Sequence, residues 1–228
     1  MPVPGPNDPA LMTPDLARTF FHEFGHLLHT IFSGRQRWAG LAHNAEGDFV
    51  EAPSQMLEEW WRNPKVLTRF ARHYKTGEPI DASLVERMVR AARFGEASNT
   101  RVQLSLASLS LELHSRNSNV DSDAVLQETF RKYAMRLFPD GVHFQCSFSH
   151  LGLQGYASAY YTYLWSLVIA RDLLTGFNPN DLLDPVPAGK YRRAVLEPGG
   201  SRPAAQLVEN FLGRPFNFKA YQTWLQGK

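Results

Sequence analysis

The stretch TPDLARTFFHEFGHLLHTIFSG (residues 13–34) has the pattern of one long helix. Thr13, Pro14 and Asp15 form a strong helix start, because Thr caps free N–H groups, Pro fits the first helical position and an acid stabilises the positive end of the helix dipole. Ser33-Gly34 marks the end of the helix. Apolar residues repeat between these ends at helical spacing: Leu16, Phe20, Phe24, Leu27, Leu28 and Ile31. The segment predicts a helix from residue 14 to about residue 32.

The same helix carries two histidines four residues apart, His22 and His26, with Glu23 directly after the first. Residues four apart lie on one face of a helix, so both imidazoles can direct a ring nitrogen at one metal ion. This is the H-E-x-x-H spacing for zinc. Glu23 lies about 100° round the helix, where it reaches a water molecule rather than the ion. The alternative is a pair of core histidines, which would not require the glutamate.

A catalytic zinc ion needs a third protein ligand and an open fourth position. Glu51 is the candidate, in GDFVEAPSQMLEEWW (47–61), because an acid among apolar neighbours needs a partner. On spacing alone, Asp48, Glu58 and Glu59 are rivals for this role. Glu58 also lies two turns further along the same helical face, where it can orient a ligand histidine. A solvated helix face explains Glu58 and Glu59 equally well.

The rest of the sequence predicts further helices and few strands. Helices are expected from Pro53 to before Pro64, then over about 64–74, 82–93, 96–113, 123–138 and 157–174, followed by two or three short helices. Only VHFQCSFSH (142–150) alternates as a strand does, so we expect at most a short β-hairpin or strand near 142–148. There is no repeat and no linker. We therefore predict a mainly α protein with residues 1–228 in a single domain.

Composition narrows the range of partners. The chain has 228 residues, 43% hydrophobic and 20% charged, which is ordinary for a globular protein with a sizeable core. The net charge of +2 gives no reason to expect nucleic acid as a partner. Cys146 is the only cysteine, which excludes an intrachain disulfide and a cysteine-based zinc site. We expect Cys146 to be a small buried residue rather than a nucleophile.

No stretch of the sequence has the length and apolar character of a membrane span. The closest, YYTYLWSLVIARDLL (160–174), is interrupted by Thr162, Ser166, Arg171 and Asp172. Residues 1–10 lack the basic and apolar regions of a signal peptide. We therefore expect a cytoplasmic protein with no membrane partner.

Three tyrosines, Tyr156, Tyr160 and Tyr163, are spaced to share one helical face. They follow His150 and a loop that contains Gly152 and Gly155. Phenol and imidazole groups are suitable hydrogen-bond donors to the oxyanion of a tetrahedral intermediate. From the residues alone, however, an aromatic stripe more often indicates core packing.

Several segments together resemble the C-terminal catalytic region of the thimet oligopeptidase family of zinc metallopeptidases. They are FFHEFGHLLH (20–29), DFVEAPSQMLEEW (48–60), HYKTGEP (73–79), FSHLGLQGYASAYYTYLWS (148–166) and LEPGGSRPAAQLVENFLGRPF (196–216). The resemblance implies a zincin-like (gluzincin) fold with one Zn²⁺ per chain. It favours Glu51 over its rivals as the third ligand beside His22 and His26, and it implies that Glu23 is the general base.

The resemblance also implies that His150, Tyr156 and Tyr163 bind substrate and stabilise the oxyanion. It does not extend to Tyr160, and we expect Tyr161 and Trp165 to be packing residues. The expected activity is zinc-dependent hydrolysis of internal bonds in peptide substrates. The alternative is a non-catalytic zinc-binding fragment of a longer oligopeptidase, but a structural zinc ion would need no base such as Glu23.

The resemblance covers only part of the longer relatives, whose N-terminal half forms one wall of a deep channel. Without that half we expect an open groove that also admits unfolded proteins. We also expect exposed apolar surface, which favours a homodimer.

Overall fold

The computed structural model describes residues 3, 5–6, 9–42, 45–116 and 119–227. Over these ranges it is mainly helical, with twelve α-helices. They are α1 (Pro14–Ser33), α2 (Ala39–Ala42), α3 (Ala52–Trp61), α4 (Pro64–Phe70), α5 (Ala82–Arg93), α6 (Glu96–Ser115), α7 (Ser122–Tyr133), α8 (Phe144–Ser147), α9 (Thr162–Leu174), α10 (Pro185–Tyr191), α11 (Ala204–Leu212) and α12 (Lys219–Leu225). A π-helix (Arg192–Leu196) follows α10, and short 3₁₀ turns occupy Ser149–Leu151 and Gly199–Ser201.

The helix α1 has the ends that its sequence predicts. The Thr13 hydroxyl accepts a hydrogen bond from the Leu16 N–H at 3.3 Å, Pro14 is the first helical residue, and Gly34 follows the last turn. These are local signals, because each cap satisfies backbone groups of the adjacent turn. The prediction for this helix is confirmed to within one residue.

The two helices α1 and α3 cross at the buried Gly25. A Cβ atom on Gly25 would lie 2.5 Å from the Ser54 Cα and 2.8 Å from the Pro53 carbonyl oxygen. The two backbones are therefore closer together than any larger residue would allow. This crossing places the His22–His26 turn of α1 directly against the first turn of α3.

Replacing Gly25 by alanine is expected to destabilise the protein by about 1–3 kcal/mol, because the added methyl group meets backbone that cannot rotate away. Alanine itself favours a helix by about 1 kcal/mol over glycine, so the loss is the net of two opposing effects. Urea denaturation measures the change. Gly40→Ala is the matched control, because Gly40 is helical with no atom within 4 Å of an added Cβ. Equal stability of both variants would contradict the close crossing.

Three clusters of buried apolar side chains hold the helices together. The first joins α3, α9, the π-helix and α11, and includes Phe49, Met56, Leu173, Val195, Leu207 and Phe211. The second joins α6 and α7 and includes Leu106, Leu109, Leu126, Phe130 and Tyr160. The third joins α3, α4 and α5 through Trp61, Leu67 and Val85. Because α3 contributes Met56 to the first cluster and Trp61 to the third, this helix joins two parts of the core.

The short strand that the alternating sequence predicts near 142–148 is absent. Phe144–Ser147 forms the single turn α8, and no strand occurs in the parts of the chain that the structure describes. Phe144 and Phe148, four residues apart, stack at 5.7 Å between ring centroids, which suits a helical period better than an alternating one. Cys146 is exposed, so the expectation of a buried thiol is wrong.

Several helix boundaries also differ from the prediction. The helix predicted over 123–138 ends at Tyr133, and Met135 adopts a left-handed backbone with φ of 56°. The helix predicted from about residue 157 begins at Thr162, after a series of turns. The helix predicted over about 64–74 ends at Phe70, because the following backbone pairs with the Pro79–Ile80 segment instead. Propensity is a weak guide wherever tertiary contacts compete with it.

The apolar stripe of α1 faces outward. Four of its six residues are exposed by 41–56% of their surface: Phe20, Phe24, Leu27 and Ile31. The buried positions of the helix are instead Gly25, His29 and Ser33. These residues are spaced four apart, so they form the face of α1 that packs against the rest of the protein. This open apolar face agrees with the expected exposed surface, and a homodimer across it stays a prediction. None of the helices in the described ranges combines the length and apolar character that crossing a membrane requires.

Candidate metal centre and active site

Three potential ligands converge where α1 meets α3. The Nε2 atoms of His22 and His26 each lie 3.1 Å from Oε2 of Glu51. The donor atoms of all three residues lie within 4.8 Å of one another. Glu51 caps the start of α3 and is only 3% exposed. The structure thus brings together the three residues that the sequence predicts as a metal site.

The geometry fits a zinc ion. Ligand bonds of about 2.0–2.2 Å in a tetrahedral arrangement place neighbouring donor atoms about 3.3–3.6 Å apart. The observed 3.1 Å separations are close to that value. Two imidazoles and one carboxylate also form a donor set of catalytic zinc sites, which leave a fourth position open.

Glu58 lies behind His22, the first of the candidate ligands. Its Oε1 is 2.8 Å from Nδ1 of His22, and its Oε2 is 3.4 Å from an Arg18 guanidinium nitrogen. A ligand histidine held through Nδ1 presents Nε2 to the metal. Of the two interpretations of Glu58, the structure favours the orienting one, because its side chain is only 14% exposed.

The other rivals for the third ligand lie apart from the convergent group. Glu59 pairs with Arg171 at 2.8 Å and with Arg62 at 3.3 Å. Asp48 is outside the candidate ligand group, and its backbone carbonyl accepts a hydrogen bond from the Ser166 hydroxyl. Both residues therefore serve the packing of α9 against its neighbours.

Hydrogen bonds between the convergent groups shift the pKa values of His22 and Glu51. Burial opposes the charged form of His22, but hydrogen bonds to Glu51 and Glu58 outweigh it and raise the pKa of His22 to about 9. Burial likewise opposes the charged form of Glu51, but hydrogen bonds from His22 and His26 hold its pKa far below the usual value. The buried carboxylate thus stays ionised, whereas His22 holds a proton that a metal ion binding at this site would displace.

Glu51 is held by two hydroxyl groups besides the histidines. The Tyr156 hydroxyl donates to its Oε1 at 3.0 Å, and the Ser54 hydroxyl lies 3.1 Å from its Oε2. The two carboxylate oxygens therefore have different surroundings: Oε2 faces the histidines, whereas Oε1 faces the tyrosine. These contacts fix the orientation of the carboxylate.

Two tyrosines and a histidine form an aromatic group beside Glu51. Nε2 of His150 lies 3.2 Å from the Tyr163 hydroxyl, and the rings of Tyr156 and Tyr163 stack with centroids 6.0 Å apart. Burial, followed by the negative charge of Glu51, raises the pKa of both tyrosines. Both phenols therefore remain hydrogen-bond donors at neutral and moderately alkaline pH.

The neighbouring aromatic residues have structural contacts. Tyr160 is 8% exposed and its hydroxyl donates to Oε1 of Gln103 at 3.2 Å. Trp165 packs edge-on against Phe216. Tyr161 is exposed.

A cleft of about 810 Å³ runs past this group, between α1 and α3 on one side and α5, α6 and α9 on the other. His22, Glu23 and Tyr163 line it. Glu23 is exposed. Its negative charge contributes to the raised pKa of Tyr156, which shows that the two side chains are close enough to interact electrostatically. A peptide lying in this cleft would contact the candidate base and the tyrosine together.

Sequence reasoning missed two polar residues of α3. Ser54 bonds to the Glu51 carboxylate, and Nε2 of Gln55 donates to the backbone carbonyl of Tyr163 at 2.8 Å. Both lie three or four residues after Glu51, the helical spacing that returns to one face. That spacing is the signal that could have identified them.

Comparisons with known proteins identify the family of the chain. The sequence model of Peptidase family M3 matches residues 1–226. A "Thimet-like oligopeptidase" of Dictyostelium discoideum is 34% identical over 222 residues, which are 96% of this chain and 33% of the relative. "Oligopeptidase A" of Escherichia coli (strain K12) is 34% identical over 212 residues, 90% of this chain and 31% of the relative.

A third relative, "Mitochondrial intermediate peptidase" of Homo sapiens, is 31% identical over 217 residues, 93% of this chain and 30% of the relative. The chain thus spans about a third of the length of these relatives. The match to the family nevertheless covers almost all of the chain. The resemblance to the thimet oligopeptidase family is confirmed, and the chain belongs to peptidase family M3.

Proposed function

We propose that the chain is a zinc metallopeptidase that hydrolyses internal bonds of peptides. One observation carries the proposal: His22, His26 and Glu51 converge, and His22 lines a cleft together with Glu23. A zinc ion bound there supplies Lewis acidity, which lowers the pKa of a water molecule and polarises the scissile carbonyl. Membership of a peptidase family and the names of the relatives support this chemistry.

Glu23 is the proposed general base. Its carboxylate lies on the helix turn between the two histidines and is exposed to the cleft. It takes a proton from the attacking water and delivers that proton to the amine that leaves. An exposed carboxylate suits this role, because it must remain free to turn from one partner to the other.

His150 and Tyr163 are the proposed donors to the carbonyl oxygen as it gains negative charge. They already contact each other at 3.2 Å, so both can be directed at one acceptor. Tyr156 is placed with them, although its hydroxyl is donated to Glu51. A substrate oxygen would have to compete with that carboxylate for the Tyr156 hydroxyl.

A chelator experiment tests the proposal. The purified chain should cleave an internally quenched peptide, lose that activity in a metal chelator, and regain it when zinc is restored. Metal analysis should give one zinc ion per chain before chelation. Cleavage that persists after the zinc has been removed would contradict a metal-dependent mechanism.

The second candidate function is a non-catalytic zinc-binding fragment. The observation that favours it is that the chain spans only about a third of its relatives, while the apolar face of α1 is open. The same experiment separates the two, because such a fragment would bind zinc without cleaving any peptide. Cleavage of unfolded proteins, the absence of a nucleic-acid partner and a cytoplasmic location remain predictions from the sequence.

A further inference from the structure

Gln55 connects the helix of the third ligand to the tyrosine segment (residues 156–163). It lies one turn after Glu51 on α3, is half-buried and lines the cleft. Its Nε2 donates to the backbone carbonyl of Tyr163 at 2.8 Å. On the same face of α3, the Glu51 carboxylate accepts a hydrogen bond from the Tyr156 hydroxyl at 3.0 Å. The face of α3 that holds the carboxylate thus also holds the backbone of Tyr163.

We propose that Gln55 is a positioning residue that sets the place of the Tyr163 hydroxyl relative to Glu51. The proposal rests on the proposed function, in which Tyr163 acts as a donor to the substrate. Tyr163 is the second residue of α9, where the helix has only just begun. The hydrogen bond from Gln55 to the Tyr163 carbonyl fixes the direction of this first turn. The turn then sets the position of the Tyr163 phenol, whose hydroxyl contacts His150.

Stability alone does not favour an amide at this position. The Oε1 atom of Gln55 is buried and makes no hydrogen bond to the protein. A buried polar atom without a partner is costly, and methionine has nearly the same shape with no such atom. The hydrogen bond to Tyr163 is the feature that an apolar side chain would lose. An amide held at some cost next to a catalytic group indicates a role in the site.

A double-mutant cycle tests the proposal. Gln55→Met should lower kcat by about 10-fold with little change in KM, since small misplacements of a reacting group cost this much or more. In a Tyr163→Phe background the same substitution should cause no further loss, because the hydroxyl that Gln55 positions is gone. Equal losses in both backgrounds would overturn the proposal in favour of a general structural role.

Ser166→Ala is the matched control. The Ser166 hydroxyl also ties α9 to a backbone carbonyl, that of Asp48 at 2.8 Å, but it does not touch Tyr163. Its loss should leave kcat unchanged. Zinc content should be the same in all variants, which excludes an effect through the metal ligands. Gln55→Leu, which also lacks a donor, replaces the methionine variant if that variant does not fold.

A second measurement needs no activity. In metal-free chain labelled with ¹³C at the tyrosine ring, the Tyr163 resonance is identified by its loss in Tyr163→Phe. Gln55→Met should shift or broaden that resonance, whereas Ser166→Ala should not. An unchanged Tyr163 resonance would overturn the positioning role. A wild-type chain that cleaves nothing would contradict the proposed function and leave this second test in force.

Discussion

Replacing Glu23 by glutamine is expected to lower kcat by about 10²- to 10⁴-fold while the chain keeps its zinc ion. Glutamine has the same shape but cannot accept the proton of the attacking water. Glu23 is not among the convergent ligands, so its change leaves all three donor atoms in place. Metal analysis and steady-state kinetics on the same preparation give both quantities.

The ligand variants should behave in the opposite way. His22→Ala, His26→Ala and Glu51→Ala each remove one of the donor atoms, so each should lose both zinc and activity. Glu51→Ala is the most informative, because it also leaves Tyr156 without its acceptor. A Glu51→Ala chain that holds zinc tightly at full occupancy would falsify the ligand assignment.

Asp15→Asn controls for charge. Asp15 lies in the first turn of α1 and lines the same cleft, so the substitution removes one negative charge from the same helix. It should change kcat by no more than about twofold, since surface substitutions away from special contacts have small effects. A loss as large as that of Glu23→Gln would indicate that the charge of the cleft, rather than a specific base, controls the rate.

The part of this site that lies on α1 is predictable from the sequence, because its signals are local. The Thr13 cap, Pro14 and the four-residue spacing of the histidines all act within one helix. The third ligand is different, because Asp48, Glu58 and Glu59 satisfy the same sequence pattern as Glu51. Only the crossing of α1 and α3 at Gly25 brings Glu51 to the histidines, and a crossing depends on packing that no local pattern encodes.

The direction in which side chains point is also beyond local patterns. The apolar residues of α1 predict a helix correctly, but the largest of them face outward because α1 packs through Gly25. Alternation around Cys146 allows a strand, yet no neighbouring strand is available in the described chain to pair with it. The hydrogen bond between Tyr156 and Glu51 joins residues that are far apart in sequence, so the sequence cannot distinguish a substrate contact from a contact to a ligand.

Replacing Tyr163 by phenylalanine is expected to lower kcat by about 10²- to 10³-fold, the usual cost of losing one donor to a developing oxyanion. The substitution removes a hydroxyl and little packing. KM should change little, because the bond to the substrate forms mainly in the transition state. Zinc content should be unchanged, because the Tyr163 hydroxyl contacts His150 and lies outside the convergent ligand group.

The loss should also be the same from about pH 6 to about pH 9, because burial and the charge of Glu51 raise the pKa of Tyr163 above the usual value of about 10. A phenol that stays protonated donates its hydrogen bond equally well throughout this pH range. Tyr160→Phe is the matched control: it removes a hydroxyl one turn away that is bonded to Gln103, and it should leave kcat nearly unchanged. Normal kcat in Tyr163→Phe, or an equal loss in Tyr160→Phe, would return Tyr163 to the packing residues.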